Sequence, residues 1–197
     1  PIMRRSLRVC SMADFRLETA RLVLRDWSGD EDWQAFFRHT NTPEVMRWLG
    51  GVMNAEAVAA QRSRVENCRE RNSHCFWLVE RKEDGEVLGF CGLKRTDAPD
   101  SPSLGEVEIG WRLREDAWGQ GYAKEAAQAS LAAGFEIFGA QEIVALTVQE
   151  NAPSWGLMKR LGMRRREDLD FIDRRPQAPF RDTIVYSITR AEWEAVQ

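Results

Sequence analysis

Residues 116–126 read Asp-Ala-Trp-Gly-Gln-Gly-Tyr-Ala-Lys-Glu-Ala, and they connect a strand-like run, residues 105–113, to a helical run, residues 123–138. The glycine pair Gly119 and Gly121 lets the backbone curl so that several N–H groups point at one place. The positive end of the following helix adds to their field. The stretch is therefore predicted to bind phosphate oxygens, although a glycine pair alone is also typical of a tight strand-to-helix turn.

Two well-known phosphate-binding motifs do not match this stretch. No Gly-Lys-Ser/Thr follows Gly121, as a Walker loop requires, and the dinucleotide-binding fingerprint needs a glycine at Lys124. The pattern instead resembles the pyrophosphate loop of the GCN5-related N-acetyltransferase (GNAT) superfamily, Gln/Arg-x-x-Gly-x-Gly/Ala, with Asp116 where Gln or Arg is usual. The run Trp-Gly-Gln-Gly-Tyr-Ala-x-Glu-Ala is most similar to the subgroup that includes the RimJ/RimL ribosomal-protein N-terminal acetyltransferases, and residues 17–25 resemble the opening of that subgroup.

The composition is that of one globular domain. The chain has 197 residues, of which 43% are hydrophobic and 30% charged. Its net charge of −3 supplies no basic field for nucleic acid, so no nucleic-acid partner is expected. We predict a disordered leader over residues 1–11 and a single N-acetyltransferase domain over residues 12–197.

The cysteines and the lengths of the apolar runs indicate the cellular location that is expected for the protein. The four cysteines include no Cys-x-x-Cys spacing, and with only two histidines a zinc site or a disulfide scaffold is not expected. Reduced thiols indicate a cytoplasmic protein. No apolar run approaches the roughly 20 residues of a membrane span, so no membrane partner is expected.

The order of the predicted elements is mixed, which favours an α/β (mixed α+β) fold. Strands are predicted at residues 21–27, 75–81, 87–93, 105–113, 141–149, 169–172 and 183–188, and helices at residues 30–39, 54–71, 123–138 and 151–161. Asn54 and Asn151 are predicted helix caps, and Thr189 with Glu192 forms a predicted capping box. This is also the GNAT order. The resemblance implies a single-domain fold with a central, mostly antiparallel sheet of about seven strands, splayed in the middle and flanked by about four helices.

The resemblance also implies a site for acetyl-CoA as cosubstrate. In the family, backbone groups of the strand before the loop hold the thioester carbonyl and the pantetheine arm, in a gap that here faces residues 141–149. The positions that match are Trp111, Arg112 and Leu113. The pyrophosphate is expected on the loop and first helical turn, at Trp118, Gly119, Gln120, Gly121, Tyr122, Ala123 and Lys124.

Two glutamates are candidates for the general base that takes a proton from an attacking amine. Glu106 and Glu108 share the non-apolar face of the strand at residues 105–113, by alternation. Glu108 matches the carboxylate of the family's Glu-Ile-Gly-Trp phrase, and burial would raise its pKa toward neutrality. The alternative is that both side chains line a solvated face.

A proton donor for the departing thiolate is less directly indicated. Residues 151–154 match the subgroup's Asn-x-x-Ser, which makes Asn151 a candidate cofactor contact. Many GNAT members carry a tyrosine four residues after the serine, where this chain has Met158. Ser154 is the predicted replacement. Asn151 as an ordinary helix cap and Ser154 as an ordinary first-turn residue are the alternatives.

The combined reading is an acetyl-CoA-dependent N-acetyltransferase that uses direct transfer in a ternary complex, without a metal. The expected acceptor is a primary amine, either a protein N-terminus or a small molecule, and a homodimer is a candidate assembly. A non-catalytic acyl-CoA-binding or regulatory module is one alternative. An unrelated nucleotide-phosphate binder is another.

Overall fold

The computed structural model describes residues 15–175 and 181–196, so the expected leader at residues 1–11 lies outside the described residues. The strands are β1 (Arg16–Glu18), β2 (Leu22–Arg25), β3 (Trp77–Arg81), β4 (Val87–Arg95), β5 (Val107–Leu113), β6 (Glu142–Val148), β7 (Arg164–Arg165), β8 (Phe171–Ile172) and β9 (Asp182–Thr189). The helices are α1 (Asp30–Thr40), α2 (Ala55–Asn72), α3 (Tyr122–Glu136), α4 (Ala152–Arg160) and α5 (Arg190–Ala195).

One mixed sheet organises these elements, and the predicted fold class is confirmed. The strand order is β1-β2-β3-β4-β5-β6-β9-β7, with β8 also paired to β9. Every pairing is antiparallel except that of β5 with β6. The described residues add β1 and β7 to the seven predicted strands. These two strands have three and two residues, which is too short for an alternating pattern to be read.

The sheet opens between its two parallel strands. Strands β5 and β6 pair only at Val107 with Ile143 and at Glu108 with Val144. Both strands continue beyond these pairs, but residues 109–113 have no partner on β6. The predicted splay in the middle of the sheet is therefore confirmed, and it exposes one backbone edge of β5.

Strand β4 holds the other edge of β5 along its whole length. The ladder runs from Gly89 opposite Leu113 to Arg95 opposite Val107. A Cβ atom on Gly89 would lie 2.0 Å from the carbonyl oxygen of Arg112, so this close approach requires glycine. The parting of the sheet is thus confined to the β6 side.

The two faces of the sheet bury different material. Helix α3 covers one face, where a Cβ atom on Gly134 would lie only 2.6 Å from Ile143 Cδ1. Helices α1 and α2 cover the other face with an aromatic cluster that includes Trp33, Phe36 and Phe90. The non-apolar face of β5 points toward this second layer. The expectation of a solvated face is wrong for Glu108, whose side chain is only 12% exposed.

The predicted helix ends are confirmed at two of three positions. Asn54 accepts a hydrogen bond from the Ala57 N–H at 2.9 Å and caps α2. Thr189 and Glu192 form the predicted capping box of α5. Asn151 precedes α4, but its side chain makes no capping hydrogen bond, so that prediction is wrong. Its amide is therefore not committed to the helix end.

Candidate active site

A cavity of about 690 Å³ lies where β5 and β6 part. The open half of β5, the start of α3, the first turns of α4 and the segment at residues 44–49 surround it. The predicted site residues that line it are Glu108, Trp111, Arg112, Leu113, Trp118, Gly119, Gly121, Tyr122, Ala123, Lys124, Asn151 and Ser154. Glu106 and Gln120 do not line it. The fold therefore brings most of the predicted positions to one place.

The glycine loop carries a row of free backbone donors beside this cavity. Gly119 and Gly121 have φ angles of 73° and 81°, and Gly121 stands directly before α3 without a side-chain cap. Within the described part of the chain, the N–H groups of residues 119–124 donate to no acceptor. The Trp118 N–H differs, because it already donates to the Glu115 carbonyl at 3.0 Å. An anion seated at the helix start would satisfy the free donors.

The unusual aspartate of the loop is neutralised by its neighbour. Arg114 Nε lies 2.6 Å from Asp116 Oδ1. This charge pair lowers the pKa of the Asp116 carboxyl. The Gln120 side chain also folds back, donating to the Asp116 carbonyl at 2.7 Å. The negative charge at Asp116 is therefore paired beside the N–H row.

The open edge of β5 supplies further backbone groups. Residues 109–113 line the cavity, and Leu146 and Thr147 of β6 face them across it. The Leu113 carbonyl accepts a hydrogen bond from the Trp118 indole at 2.9 Å, which fixes the end of the strand to the loop. Backbone groups at a sheet edge bind an extended chain as an added strand would. The cavity can therefore hold a long polar ligand along β5.

Glu108 is the buried carboxylate of the site. Its Oε2 atom lies 3.2 Å from Lys94 Nζ, although the two atoms are not in hydrogen-bond geometry. Burial raises the pKa of Glu108, and the nearby Lys94 charge opposes this shift without cancelling it. Glu106, by contrast, is exposed and belongs to the turn ahead of β5, where its carbonyl accepts from the Thr96 N–H at 2.9 Å. The structure separates the two candidates that the sequence grouped.

Lys94 adjoins the site through its contact with Glu108, and sequence reasoning missed it. It faces Glu108 across the β4–β5 ladder and also donates to Asp97 Oδ1 at 2.7 Å. Burial disfavours the charge of Lys94, but the two carboxylates outweigh it and raise its pKa. Burial likewise opposes the charge of Asp97, yet Lys94 prevails and lowers the pKa of that carboxyl to about 2. Glu108 therefore shares its cation with a stronger acid.

The first turns of α4 form the opposite wall. Ser154 is partly buried, and its N–H donates to the Asn151 carbonyl at 3.0 Å. Both side chains line the cavity, as does the buried Met158 one turn later. Arg160 reaches the same cavity from the end of the helix. A hydroxyl at Ser154 is thus available on the wall that faces the open strand.

Aromatic side chains form the side of the cavity under α1 and α2. Phe76 and Phe90 stack with their ring centroids 4.4 Å apart. Phe76 lies directly over Gly110, because a Cβ atom there would lie 2.9 Å from the ring. The side chain of Arg112 and the segment at residues 44–49 complete this side. Sequence reasoning missed this aromatic wall, since Phe76 and Phe90 lie in different segments of the chain.

Two classes of site are not seen within residues 15–175 and 181–196. No three His, Cys, Asp or Glu side chains converge there as a metal ion would require. None of the described helices combines the length and the apolar character needed to cross a membrane.

The chain matches a known protein family over most of its length. Residues 21–164 match the family described as "Acetyltransferase (GNAT) domain". The matched region includes β5, the glycine loop and α4, so it contains the whole described cavity wall that the sequence predicted.

Individual proteins are similar over comparable lengths. The Bacillus subtilis (strain 168) protein "Uncharacterized N-acetyltransferase YnaD" is 34% identical over 152 residues, which are 76% of this chain and 82% of that protein. The Aspergillus fumigatus protein "FsC-acetyl coenzyme A-N(2)-transacetylase" is 33% identical over 187 residues, covering 92% and 79% respectively. The crystal structure of a GNAT-family acetyltransferase from Bacillus anthracis has 26% identity and a TM-score of 0.71, covering 89% of this chain and 98% of that one.

Proposed function

Because the chain belongs to the GNAT family of acetyltransferases, we propose that it transfers an acetyl group from acetyl-CoA to a primary amine within a ternary complex. The observation that carries the proposal is the row of free N–H groups at residues 119–124 at one end of the opening between β5 and β6. That combination suits a ligand with a diphosphate at one end and an extended amide-bearing arm at the other.

The donor side of the cavity fits coenzyme A. The N–H groups of residues 119–124 and the start of α3 would hold the diphosphate, and Lys124 and Arg160 would add positive charge at the cavity wall. The pantetheine arm would run along the open edge at residues 109–113. A thioester at the end of that arm would lie beside the middle of β5, close to Glu108.

A backbone donor on β5 would stabilise the charge that develops on the thioester oxygen. The Trp111 N–H is our candidate, because Trp111 lines the cavity and lies on the part of β5 that has no partner on β6. One such donor is worth on the order of 10²–10³ in rate. The donor is held rigidly, since β4 pairs with β5 along its whole length.

Glu108 would act as the general base and Ser154 as the general acid. The ammonium form of the acceptor loses a proton to Glu108, directly or through a water, and the free amine attacks the thioester carbon. The C–N bond forms, the C–S bond breaks and the nitrogen releases its second proton to solvent. The departing thiolate then needs a proton of its own. The Ser154 hydroxyl would supply it and regain one from solvent. Burial suits Glu108 for this role, because it raises the pKa of the carboxyl and so makes the carboxylate a stronger base.

The name of the Aspergillus fumigatus relative supports both substrates, since it specifies acetyl coenzyme A and a nitrogen acceptor for that protein. The RimJ/RimL-like glycine loop supports a protein N-terminus as a second acceptor class. The free thiols of Cys68, Cys75 and Cys91 support a cytoplasmic location.

Steady-state release of thiol from acetyl-CoA, measured with a panel of amines, tests the proposal. We expect release that depends on both substrates and a product whose mass is raised by one acetyl group. Binding of acetyl-CoA without release above background for any amine would identify a non-catalytic acyl-CoA module instead. Tighter binding of ATP than of coenzyme A would indicate a nucleotide-phosphate binder.

A further inference from the structure

The side chain of Arg112 lines the cavity, and no carboxylate of residues 15–175 and 181–196 pairs with it. It leaves β5 on the same face as Glu108 and lines the cavity wall. Its Nη1 atom donates to Gln61 Oε1 at 3.2 Å, and its guanidinium carbon lies 5.5 Å from the Phe90 ring centroid. Its Nε atom is shielded from solvent and has no hydrogen-bond partner among the described residues. Part of its hydrogen-bonding capacity is therefore unused.

The other partly buried arginines of the described chain differ from Arg112. Each of them forms an ion pair with an aspartate or a glutamate. They are Arg25, Arg62, Arg69, Arg81, Arg114, Arg165, Arg166 and Arg190. Arg112 is thus the exception among the partly buried arginines that the structure describes.

An unpaired guanidinium in this position is costly to maintain. Burial lowers the pKa of Arg112 to about 10, and the charge of the nearby Arg64 adds to this effect. The neutral Gln61 amide and the faces of Phe36 and Phe90 offset the loss of water only in part. A carboxylate would offset it more fully, because its two oxygens match the planar fork of donors on arginine.

The donor substrate does not account for this charge. The N–H row at residues 119–124 lies on the far side of the open strand, next to α3. Side chains alternate along β5, so Leu113 packs into the core beneath α3 while Arg112 points toward α1 and α2. The described part of the second layer contributes the aromatic wall to the cavity, and the glycine loop is not part of it. The anion that meets Arg112 would therefore belong to the acceptor.

We propose that Arg112 binds a carboxylate of the acceptor, so that the acceptors of this protein are amines that also carry a carboxylate. The inference rests on the proposed function and names the substrate class of the same site. The Cα atoms of Arg112 and Glu108 are four residues apart on one strand, or about 13 Å at ~3.3 Å per residue. The long arginine side chain spans part of this distance, so the spacing between amine and carboxylate in the acceptor is a variable for the experiment.

Binding measurements with matched ligands test the inference without requiring turnover. The probes are glycine, β-alanine, γ-aminobutyrate and 6-aminohexanoate, each compared with its carboxamide by calorimetry on the full chain saturated with coenzyme A. A second arm compares short peptides with a free N-terminus and Asp or Glu at the second position with their Asn or Gln counterparts. This arm distinguishes a free amino acid from a protein N-terminus as the source of the carboxylate.

The expected result is a preference of at least about tenfold for the carboxylate over the carboxamide in one of the two arms, as a desolvated charge pair provides. Arg112→Met should abolish that preference, and Arg112→Lys should retain part of it because the charge remains. Arg71, an exposed arginine on α2, supplies the matched control, and Arg71→Met should leave the preference unchanged. Equal binding of carboxylate and carboxamide by the wild-type protein, absence of binding in both arms, or a preference that survives in Arg112→Met would overturn the inference.

Thiol release measured on the same ligands distinguishes a failure of the proposed acetyl transfer from a failure of carboxylate binding by Arg112. Acetylation of amines without a carboxylate preference would leave the proposed function standing and remove the inference. A carboxylate preference that depends on Arg112, with no acetylation of any ligand, would support a carboxylate site at Arg112 and contradict the proposed acetyl transfer. If Arg112→Met does not fold, the wild-type comparison and Arg112→Lys still decide the matter.

Discussion

The two ends of β5 have the same partner strand available and behave differently. At the closed end, Val107 and Glu108 pair with β6, and the sheet is continuous. At the open end, residues 109–113 leave their backbone edge facing a cavity of about 690 Å³. The closed end stabilises the fold. The open end gives up ladder hydrogen bonds, and a ligand that completes them would gain affinity from groups that are already in position.

The closed end can hold the sheet together because helix α3 packs closely over it. Gly134 of α3 lies against Ile143 of β6 and Leu93 of β4, so a larger residue would displace the ends of these two side chains. At the open end, residues 109–113 have no partner on β6 among the described residues. The cavity therefore lies where the pairing of β5 with β6 ends, next to a closely packed part of the sheet.

The largest expected effect comes from the carboxylate at the border between the two ends. Glu108→Gln should lower kcat/KM by roughly 10²–10⁴, because a general base contributes about that factor. Binding of coenzyme A should be unchanged, since Glu108 lies away from the N–H row. Steady-state kinetics and calorimetry check the two parts.

Glu106→Gln is the matched control, because the residue is two positions away but exposed and outside the cavity. It should retain the wild-type rate. Equal losses in the two variants would show that the border position has no special role in proton transfer.

The next effect concerns the packing of the closed end. Gly134→Ala places a methyl group 2.6 Å from Ile143 Cδ1 and 3.0 Å from Leu93 Cδ1. Overpacking of this kind costs about 1–3 kcal/mol, and the higher helix propensity of alanine offsets about 1 kcal/mol of it, so the free energy of unfolding should fall by about 1 kcal/mol. Urea denaturation measures it, with the exposed Gln128 of the same helix, changed to Ala, as the control. Unchanged stability in Gly134→Ala would mean that the contact of Gly134 with Ile143 and Leu93 is too loose to hold the closed end.

Alanine substitutions at two glycines distinguish the cost of backbone strain from a loss of ligand binding at the open end. Gly121 and Gly139 both have positive φ angles, 81° and 68°, and both can accept a Cβ atom without a severe clash. Alanine at either position should cost about 1–2 kcal/mol of stability through left-handed strain. Only Gly121→Ala should also weaken coenzyme A binding, because Gly139 is remote from the cavity lining. Equal affinities in the two variants would contradict a diphosphate site at the loop.

The smallest expected effect is a displacement of the pH profile. Burial raises the pKa of Glu108 above its ordinary value, so the active carboxylate form is lost, as pH falls, earlier than for an exposed glutamate. Lys94 opposes that rise. Lys94→Met should therefore raise the pKa further and move the acidic limb of kcat/KM to higher pH. A limb that stays in place or moves to lower pH would exclude Glu108 as the titrating base.

Much of the fold was predictable because its signals are local. The strand, loop and helix around Gly119 and Gly121 follow from alternation, glycine pairing and helical periodicity over neighbouring residues. The capping box at Thr189 is likewise a four-residue signal. Strands β1 and β7 were missed since two or three residues show no period.

The site was predicted less completely, because its contacts are not local. The pairing of Lys94 with Glu108 depends on the register of β4 against β5 across a long loop, and the sequence contains no signal for that register. The solvated-face alternative failed for Glu108 since alternation reports which side a residue faces and not what covers that side. Glu106 obeys the same alternation yet lies beyond the start of the strand, in a turn.

A crystal structure of the protein with coenzyme A tests the central claim most directly. We predict that the diphosphate contacts the N–H groups of residues 119–124 and that the pantetheine arm lies along residues 109–113, with β6 still parted from β5. A cofactor bound elsewhere, or strands β5 and β6 paired along their full length in the complex, would contradict the account.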